Sequence, residues 1–190
     1  MHIKSENLQA LQSQQMITDA LISLMKAYPY NDITITQICQ EAQVVRQTFY
    51  RNFESKIDIL EVYLDNMFQN YSSDYLDSEL MYQQLKNFFD YLLKYKDFLT
   101  LIEKNNLFFL LNRTLTIYIS KFLVVSQFME TVDEPKLHVY VLDFIVSTLC
   151  SIISLWVKNG FEDSSEKLKN LARTFFSGLE NAMNLKDGHK

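Results

Sequence analysis

The sequence predicts an all-α protein with an N-terminal three-helix domain over residues 7–60 and a C-terminal helical bundle over residues 61–190. Three observations predict this class. Apolar residues recur along most of the chain at steps of three and four, which is the spacing of a helix with one buried face. Glycine and proline, three and two among 190 residues, are too scarce for a many-turned β-fold. A hydrophobic fraction of 48% supplies enough apolar surface for a packed core.

The first helix is predicted over residues 7–27. Its apolar residues share one face, and Pro29 follows shortly after its end. These apolar residues are Leu8, Leu11, Ile17, Ala20, Leu21, Leu24 and Met25. We expect this helix to have a packing role.

A helix-turn-helix is predicted next. Thr34 and Gln37 have the spacing of a capping box, so a helix of about two turns begins there. The periodicity is interrupted at residues 43–44, and a second short helix follows over residues 45–52 with Phe49 buried. Two short helices joined by a tight turn form a motif whose second helix fits the major groove of DNA.

A third helix begins directly after this motif. Ser55 with Asp58 three residues later predicts its N-cap and places Lys56 in its first turn. The helix is predicted to continue to about Tyr71, and the polar segment 72–78 is predicted to be a loop. A helix of this length links the two domains, so its motion would move the motif.

The segment from Ile33 to Leu60 resembles a known DNA-binding domain. The positions that carry the resemblance are Ile33, Thr34, Ile38, Ala42, Val44, Arg46, Thr48, Phe49, Tyr50, Phe53, Lys56 and Leu60. They are similar to the TetR/AcrR family of bacterial transcriptional regulators, and the string RQTFY resembles a branch that includes regulators of dihydroxyacetone kinase operons. The resemblance covers about the first third of the chain, and the remainder is similar only in length and helical character.

The resemblance implies that the second helix of the motif enters the major groove of double-stranded DNA. The residues expected to contact base edges or the adjoining backbone are Arg46, Gln47, Thr48, Arg51 and Asn52. Those expected to contact phosphates are Thr36, Tyr50 and Lys56. A solvated surface charge is the alternative for Arg46 and for Lys56.

Two positions depart from the family pattern. Gln43 stands in the turn where the family usually has Gly, which costs about 1 kcal/mol if the residue is left-handed. Val45 stands where Ser or Thr usually opens the recognition helix, so a cap of about 1 kcal/mol is absent. Both departures predict a loosely held recognition helix.

The net charge of -5 is unusual for a DNA-binding protein. Over residues 1–60 there are five Lys and Arg against six Asp and Glu, which leaves -1. From residue 43 to 56, however, three cations stand against one anion. We therefore expect salt-sensitive affinity of moderate strength that depends on base contacts.

Three further amphipathic helices are predicted over residues 79–95, 97–104 and 107–128. Their aromatic residues favour an ordinary core by spacing alone. The family resemblance makes some of them candidates for the wall of an effector pocket, since such pockets are mostly apolar. These candidates are Phe88, Tyr91, Phe108, Phe109, Tyr118 and Phe122.

The most hydrophobic stretch is 139–157. Its length would suffice to span a bilayer, but Asp143 lies inside it, and a charge there is costly in lipid. A helix that is apolar nearly all round is predicted to be buried on two sides, once in its own domain and once against a partner. With a last helix over residues 165–183 it would form a four-helix dimer interface, whose candidate residues are Ser147, Ser151, Leu155, Phe175 and Leu179.

The chain lacks the residue patterns of an enzyme or a metalloprotein. Its three His are dispersed, no glycine-rich phosphate motif occurs, and Cys39 and Cys150 fit reduced thiols rather than a zinc site. We expect no cofactor, no metal and no membrane partner. The N-terminus has no export signal, so a cytoplasmic location is expected.

These inferences predict a ligand-responsive transcriptional regulator, with repression favoured over activation, that binds a palindromic operator as a homodimer. Its effector would be an unknown small molecule of mostly apolar character. The alternative is a coactivator with the same fold that acts through a partner protein instead of binding an operator directly.

Overall fold

The structure, a computed structural model, describes the backbone of residues 2–75, 81–120 and 134–184 and the side chains of residues 8–71, 85–120 and 134–175. All regular elements in these ranges are helical, which confirms the all-α prediction. The chain forms two compact units, Met1–Met67 and Phe68–Lys190. Their division falls later than residue 60, inside a continuous helix.

The first unit holds four helices, the last of which continues into the second unit. Their bounds are α1 His2–Ala27, α2 Ile35–Glu41, α3 Arg46–Asn52 and α4 Lys56–Tyr75, with a 3-10 turn at Tyr30–Asp32. Helix α1 packs against both α2 and α3. The core between them is formed by fully buried side chains, among them Ile17, Leu21, Ile38, Phe49 and Leu60.

The second unit contains five helices among the described residues. They are α5 Met81–Leu92, α6 Lys96–Lys104, α7 Phe108–Ile119, α8 His138–Lys158 and α9 Ser165–Asn184, with 3-10 turns at Leu93–Tyr95 and Pro135–Leu137. Helix α8 packs on α6 and α7, while α9 packs on α5. The centre of this unit is an apolar layer to which α8 contributes Ile145, Val146, Leu149, Ile153 and Trp156.

Several predicted boundaries differ from the structure, and the first helix begins at His2 instead of residue 7. The loop predicted over residues 72–78 was wrong at its start, because α4 continues through residue 75. The helix predicted over 79–95 ends at Leu92 and tightens into a 3-10 turn. The helix predicted over 107–128 ends at Ile119, and its remainder, from residue 121, lies outside the described residues.

The end of α8 is fixed by a tight turn that holds the single tryptophan. Gly160 has φ 67, and the Phe161 amide donates to the Trp156 carbonyl at 2.8 Å, so the helix ends in a Schellman motif. The Phe161 ring packs on the Trp156 ring at a centroid distance of 4.9 Å. The Trp156 indole N–H donates to the Asp163 carbonyl at 2.9 Å. Trp156 therefore contacts two residues of the turn that leads to α9, Phe161 and Asp163.

Candidate nucleic-acid interface

Helix α2 begins at a capping box, as the sequence predicts. The Thr34 hydroxyl accepts a hydrogen bond from the Gln37 amide at 3.2 Å, and the Gln37 side-chain oxygen accepts one from the Thr34 amide at 2.8 Å. Two amide groups at the helix start are thereby satisfied. The first helix of the motif therefore has a well-defined origin.

The turn between α2 and α3 places Gln43 in the left-handed region, with φ 54. The Gln43 amide donates to the Gln40 carbonyl at 3.1 Å and the Val44 amide to the Cys39 carbonyl at 2.9 Å. This pair of bonds is a Schellman motif, whose left-handed position favours Gly. The strain predicted at Gln43 is therefore present in the structure.

Helix α3 begins at Arg46, and the side chain of its N-cap residue Val45 makes no capping hydrogen bond. The missing cap predicted from the sequence is confirmed. The Val45 side chain is 67% exposed beside Arg46. The sequence prediction for Val45 was only an absent cap, although its place before the recognition helix could have indicated an apolar contact surface, for example for a thymine methyl group.

One face of α3 is buried and the opposite face is polar and exposed. Phe49 is fully buried, packing edge-on to Tyr50 and against Phe53. The exposed face carries Arg46, Gln47, Tyr50 and Arg51, with Thr48 and Asn52 half-buried at its edges. Phe49 therefore anchors the helix and orients these polar side chains to solvent.

Arg46 and Tyr50 form a pair one turn apart on this face. The Arg46 guanidinium donates to the Tyr50 hydroxyl at 3.3 Å, and its carbon lies 5.9 Å from the centre of the Tyr50 ring. This hydrogen bond uses one of the five N–H donors of the guanidinium. Arg46 is thus partly preorganised before any ligand arrives.

Asn52 and Thr36, two other predicted contact residues, differ in their surroundings. The Asn52 side-chain amide donates to the Thr48 carbonyl at 2.8 Å, so one of its N–H groups serves its own helix. Thr36, in the first turn of α2, is exposed. The structure thus brings Thr36, Arg46, Gln47, Tyr50 and Arg51 to solvent on the two helices of the motif.

Lys56 makes its contacts with the segment that precedes α2. Its ammonium nitrogen is 2.6 Å from the Tyr30 carbonyl oxygen, 2.7 Å from that of Ile33 and 3.3 Å from that of Asn31. The same nitrogen lies 4.3 Å from the centre of the Tyr30 ring. Partial burial lowers the pKa of Lys56, and nearby Asp32 acts in the opposite direction.

The start of α4 is held by Asp58, as predicted from its spacing to Ser55. The Asp58 carboxylate accepts from the amides of Glu54 and Ser55 at 2.9 and 3.0 Å, and from the Ser55 hydroxyl at 2.8 Å. Partial burial acts to raise the pKa of Asp58, but these hydrogen bonds outweigh it and lower the pKa below the usual value. The helix begins one residue after Ser55.

The candidate effector residues are only partly brought together. Phe88, Tyr91 and Tyr118 are buried and share an aromatic cluster with Phe68 and Tyr71, with ring distances of 5.0–6.2 Å. The cluster has a polar edge, where the hydroxyls of Tyr91 and Tyr95 lie 3.0 Å apart. Phe108 is half-buried, Phe109 is 56% exposed, and Phe122 lies outside the described residues.

The candidate dimer residues lie on an exposed stripe of α8. Tyr140, Phe144, Ser147, Ser151 and Leu155 recur at steps of four, three, four and four, and all five are exposed. Ser154, at the side of this stripe, donates to Glu103 at 3.2 Å, and Lys158 pairs with the same carboxylate at 2.9 Å. On α9, Leu171 and Phe175 are 43% and 47% exposed. The side chain of Leu179 lies outside the described residues.

The described part of the chain also contains cysteines and acidic residues. It holds no group of three or more His, Cys, Asp or Glu that could bind a metal ion. Cys39 and Cys150 are buried free thiols, and burial raises the pKa of Cys150 to about 12, which makes the thiol unreactive.

One described segment, Pro135–Lys158, has the length and mean hydropathy of a membrane span, 1.9. The same test is passed by core helices of globular proteins. Here α8 buries one face on α6 and α7, and Asp143 is exposed within it. Packing within the second unit therefore accounts for the apolar residues on the buried face of α8, but not for those on its exposed stripe.

Comparison with known proteins identifies the motif. Residues 17–63 match the family model described as bacterial regulatory proteins, tetR family. Residues 17–63 are therefore similar to the DNA-binding domains of the TetR family. The sequence-based recognition is thereby confirmed, and the matched range contains α2, α3 and the contact residues predicted for TetR-type binding.

The likeness in fold to solved structures extends over most of the chain. The TetR transcriptional regulator from Streptococcus agalactiae 2603V superimposes with a TM-score of 0.67 at 18% identity, covering 91% of this chain and 98% of that one. A structure described as dihydroxyacetone kinase operon activator DhaS gives a TM-score of 0.55 at 19% identity, covering 88% and 95%. At these identities the likeness shows the fold.

A curated relative matches over part of its length. The HTH-type dhaKLM operon transcriptional activator DhaS of Lactococcus lactis subsp. lactis (strain IL1403) is 35% identical over 66 residues, or 33% of this chain. The chain spans about a third of the length of that relative, 35%. The likeness to DhaS agrees with the branch resemblance carried by the RQTFY string.

Proposed function

We propose that this chain regulates transcription by binding a palindromic operator as a homodimer, with α3 of each protomer in the major groove. The observation that supports this most is the division of α3 between fully buried Phe49 and an exposed polar face. Arg and Gln on that face have the donors and acceptors that pair with guanine and adenine edges. No packing role within the first unit requires them to be polar.

We assign the roles on this face from the exposure and the chemical type of each side chain. Arg46, Gln47 and Arg51 read base edges, with Thr48 and Asn52 at the border between bases and backbone. Thr36 and the Tyr50 hydroxyl contact phosphates on either side. Arg46 and Arg51 supply the local positive charge that the acidic whole chain lacks.

The homodimer is proposed through the exposed stripe of α8 together with α9. The stripe combines three large apolar residues, Tyr140, Phe144 and Leu155, with the small Ser147 and Ser151. Contiguous exposed apolar surface of this kind marks interaction sites. The small residues would allow two copies of α8 to approach closely at their crossing.

The effector site is proposed at the aromatic cluster around Phe88, Tyr91 and Tyr118. Its rings offer an apolar surface, and the paired hydroxyls of Tyr91 and Tyr95 offer a polar group at its edge. Helix α4 contributes Phe68 and Tyr71 to this cluster and begins beside the helix-turn-helix. A ligand that binds two arrangements of α4 unequally would shift the DNA-binding equilibrium.

Operator binding by itself does not determine whether the protein represses or activates transcription. The sequence-based prediction favours repression, whereas the relatives named DhaS are described as activators. The same recognition helix serves either outcome, because the sign depends on where the operator lies relative to the promoter. The proposal includes no catalytic activity, a cytoplasmic location and no membrane partner.

The second candidate is a coactivator that acts through a partner protein. The strained Gln43 turn and the uncapped start of α3 favour it, because both weaken a recognition helix. In this alternative the exposed face of α3 would contact a protein or have no ligand.

A mobility-shift assay with the chain's own upstream DNA separates these candidates. The full chain should retard that fragment and not a scrambled fragment of equal length and composition, and promoter-driven transcription in vitro gives the sign. Retardation only after adding a second protein from the same source would contradict direct operator binding. Equal retardation of both fragments would contradict sequence recognition.

A further inference from the structure

The ammonium group of Lys56 is saturated by its own chain. It has three N–H donors, and three carbonyl oxygens, those of Tyr30, Asn31 and Ile33, lie within hydrogen-bonding distance. The Tyr30 ring covers it at 4.3 Å. The cation therefore has no N–H group left for a phosphate unless one of these bonds is broken.

The hydrogen bonds of Lys56 connect two separate parts of the first unit. Tyr30 to Ile33 form the segment between α1 and α2, and Ile33 directly precedes the Thr34 N-cap of α2. Lys56 is the first residue of α4. The contact therefore joins the start of the long helix to the start of the helix-turn-helix across 23 to 26 residues of sequence.

An ammonium in the first turn of a helix is otherwise disfavoured, because the N-terminus carries partial positive charge. The convergence of carbonyl oxygens compensates for this cost, and so does nearby Asp32. Three acceptors converging on one point suit a compact ammonium better than a planar guanidinium. The site is thus specific for lysine and not for positive charge in general.

We infer that Lys56 is a positioning residue that clamps the first turn of α4 to the segment entering α2, and that it does not contact a DNA phosphate. This replaces the phosphate role expected from the sequence. The inference deepens the proposed function, since the clamp is what would transmit a movement of α4 to the helix-turn-helix. The hydrogen bonds from Lys56 to these backbone carbonyls do not depend on whether the chain binds DNA.

Three full-length variants test the clamp: Lys56→Met, Lys56→Arg and, as a matched control, Lys26→Met. Lys26 is an exposed lysine in the last turn of α1. Each variant is measured for its urea midpoint and for its affinity to upstream and scrambled DNA at several salt concentrations. Affinities are measured well below the unfolding transition, so that a change in the folded fraction does not enter.

The clamp predicts that Lys56→Met and Lys56→Arg both lower the urea midpoint, while Lys26→Met leaves it unchanged. Both Lys56 variants should lose affinity for upstream DNA by about tenfold, the equivalent of one charge-assisted hydrogen bond. Their affinity for scrambled DNA and the slope of log affinity against log salt should stay as in the unaltered chain. A purely structural residue would lower the midpoint without changing the ratio of the two affinities.

The phosphate role predicts a different set of results and would overturn the inference. Lys56→Met would then flatten the salt slope by about 0.9 for each phosphate that the lysine had neutralised. Lys56→Arg would restore both slope and affinity, because Arg binds phosphate well. If the unaltered chain binds no DNA, the proposed function fails, and the urea midpoints of the three variants still decide whether the clamp exists.

Discussion

Asp58 shows how one carboxylate fixes the origin of a helix. It accepts three hydrogen bonds, from the Glu54 and Ser55 amides and the Ser55 hydroxyl. Asp58→Asn keeps the shape of the side chain but removes its charge and one acceptor. We expect a loss of about 1 kcal/mol in the free energy of unfolding at pH 7, the usual value of a helix cap. Chemical denaturation measures it, with Glu54→Gln as the neighbouring control.

The same carboxylate makes a prediction about pH. Because the pKa of Asp58 is lowered in the folded chain, the folded state favours the ionised form. Its contribution is fully present above the unfolded pKa of about 3.9 and is lost as the pH falls through the lower folded value. The stability difference between the unaltered chain and Asp58→Asn should therefore shrink in acid. A difference that grows in acid would contradict the assigned hydrogen bonds.

At the scale of the element, α3 is held at its centre and poorly held at its start. Gln43→Gly removes the left-handed strain, and Val45→Thr supplies a cap, each worth about 1 kcal/mol. Both changes should raise the free energy of unfolding and slow amide exchange in α3. If neither variant gains stability, the interpretation of α3 as a loosely held helix is wrong.

The elements that could be predicted from sequence are those with local causes. The Thr34 capping box and the Gln43 turn depend on residues within about one helical turn of each other. The sequence did not predict that α4 extends through residue 75. Serines and an aspartate favour helix caps, but they do not end a helix that contains no Gly or Pro. The contacts of Lys56 were missed because their acceptors lie more than 20 residues away, and periodicity contains no information on such partners.

For the whole molecule, the exposed stripe of α8 predicts association into a dimer. Leu155 is 58% exposed at the end of that stripe, so Leu155→Glu should place two charges in an apolar interface and favour the monomer. Ser151→Arg should act similarly through its size. Phe109→Glu, at a 56% exposed position on α7, is the matched control. Light scattering at micromolar concentration checks the masses, and a monomer for the unaltered chain would contradict the interface.

The central claim is that α3 of a dimer reads DNA sequence directly. A dimer with two equivalent recognition helices requires two half-sites about one helical turn or slightly more apart. Arg46 is the test residue, because it is exposed at the start of α3 and partly oriented by Tyr50. Its loss should affect a specific site far more than random DNA.

The most direct measurement is therefore a titration of upstream and random DNA with the unaltered chain and Arg46→Ala at several salt concentrations. We expect Arg46→Ala to cost about 1 to 3 kcal/mol on the upstream site for each half-site bound, with much smaller effects on random DNA. Equal losses on both kinds of DNA would contradict base recognition by Arg46. Absence of any specific binding by the unaltered chain would contradict the claim itself.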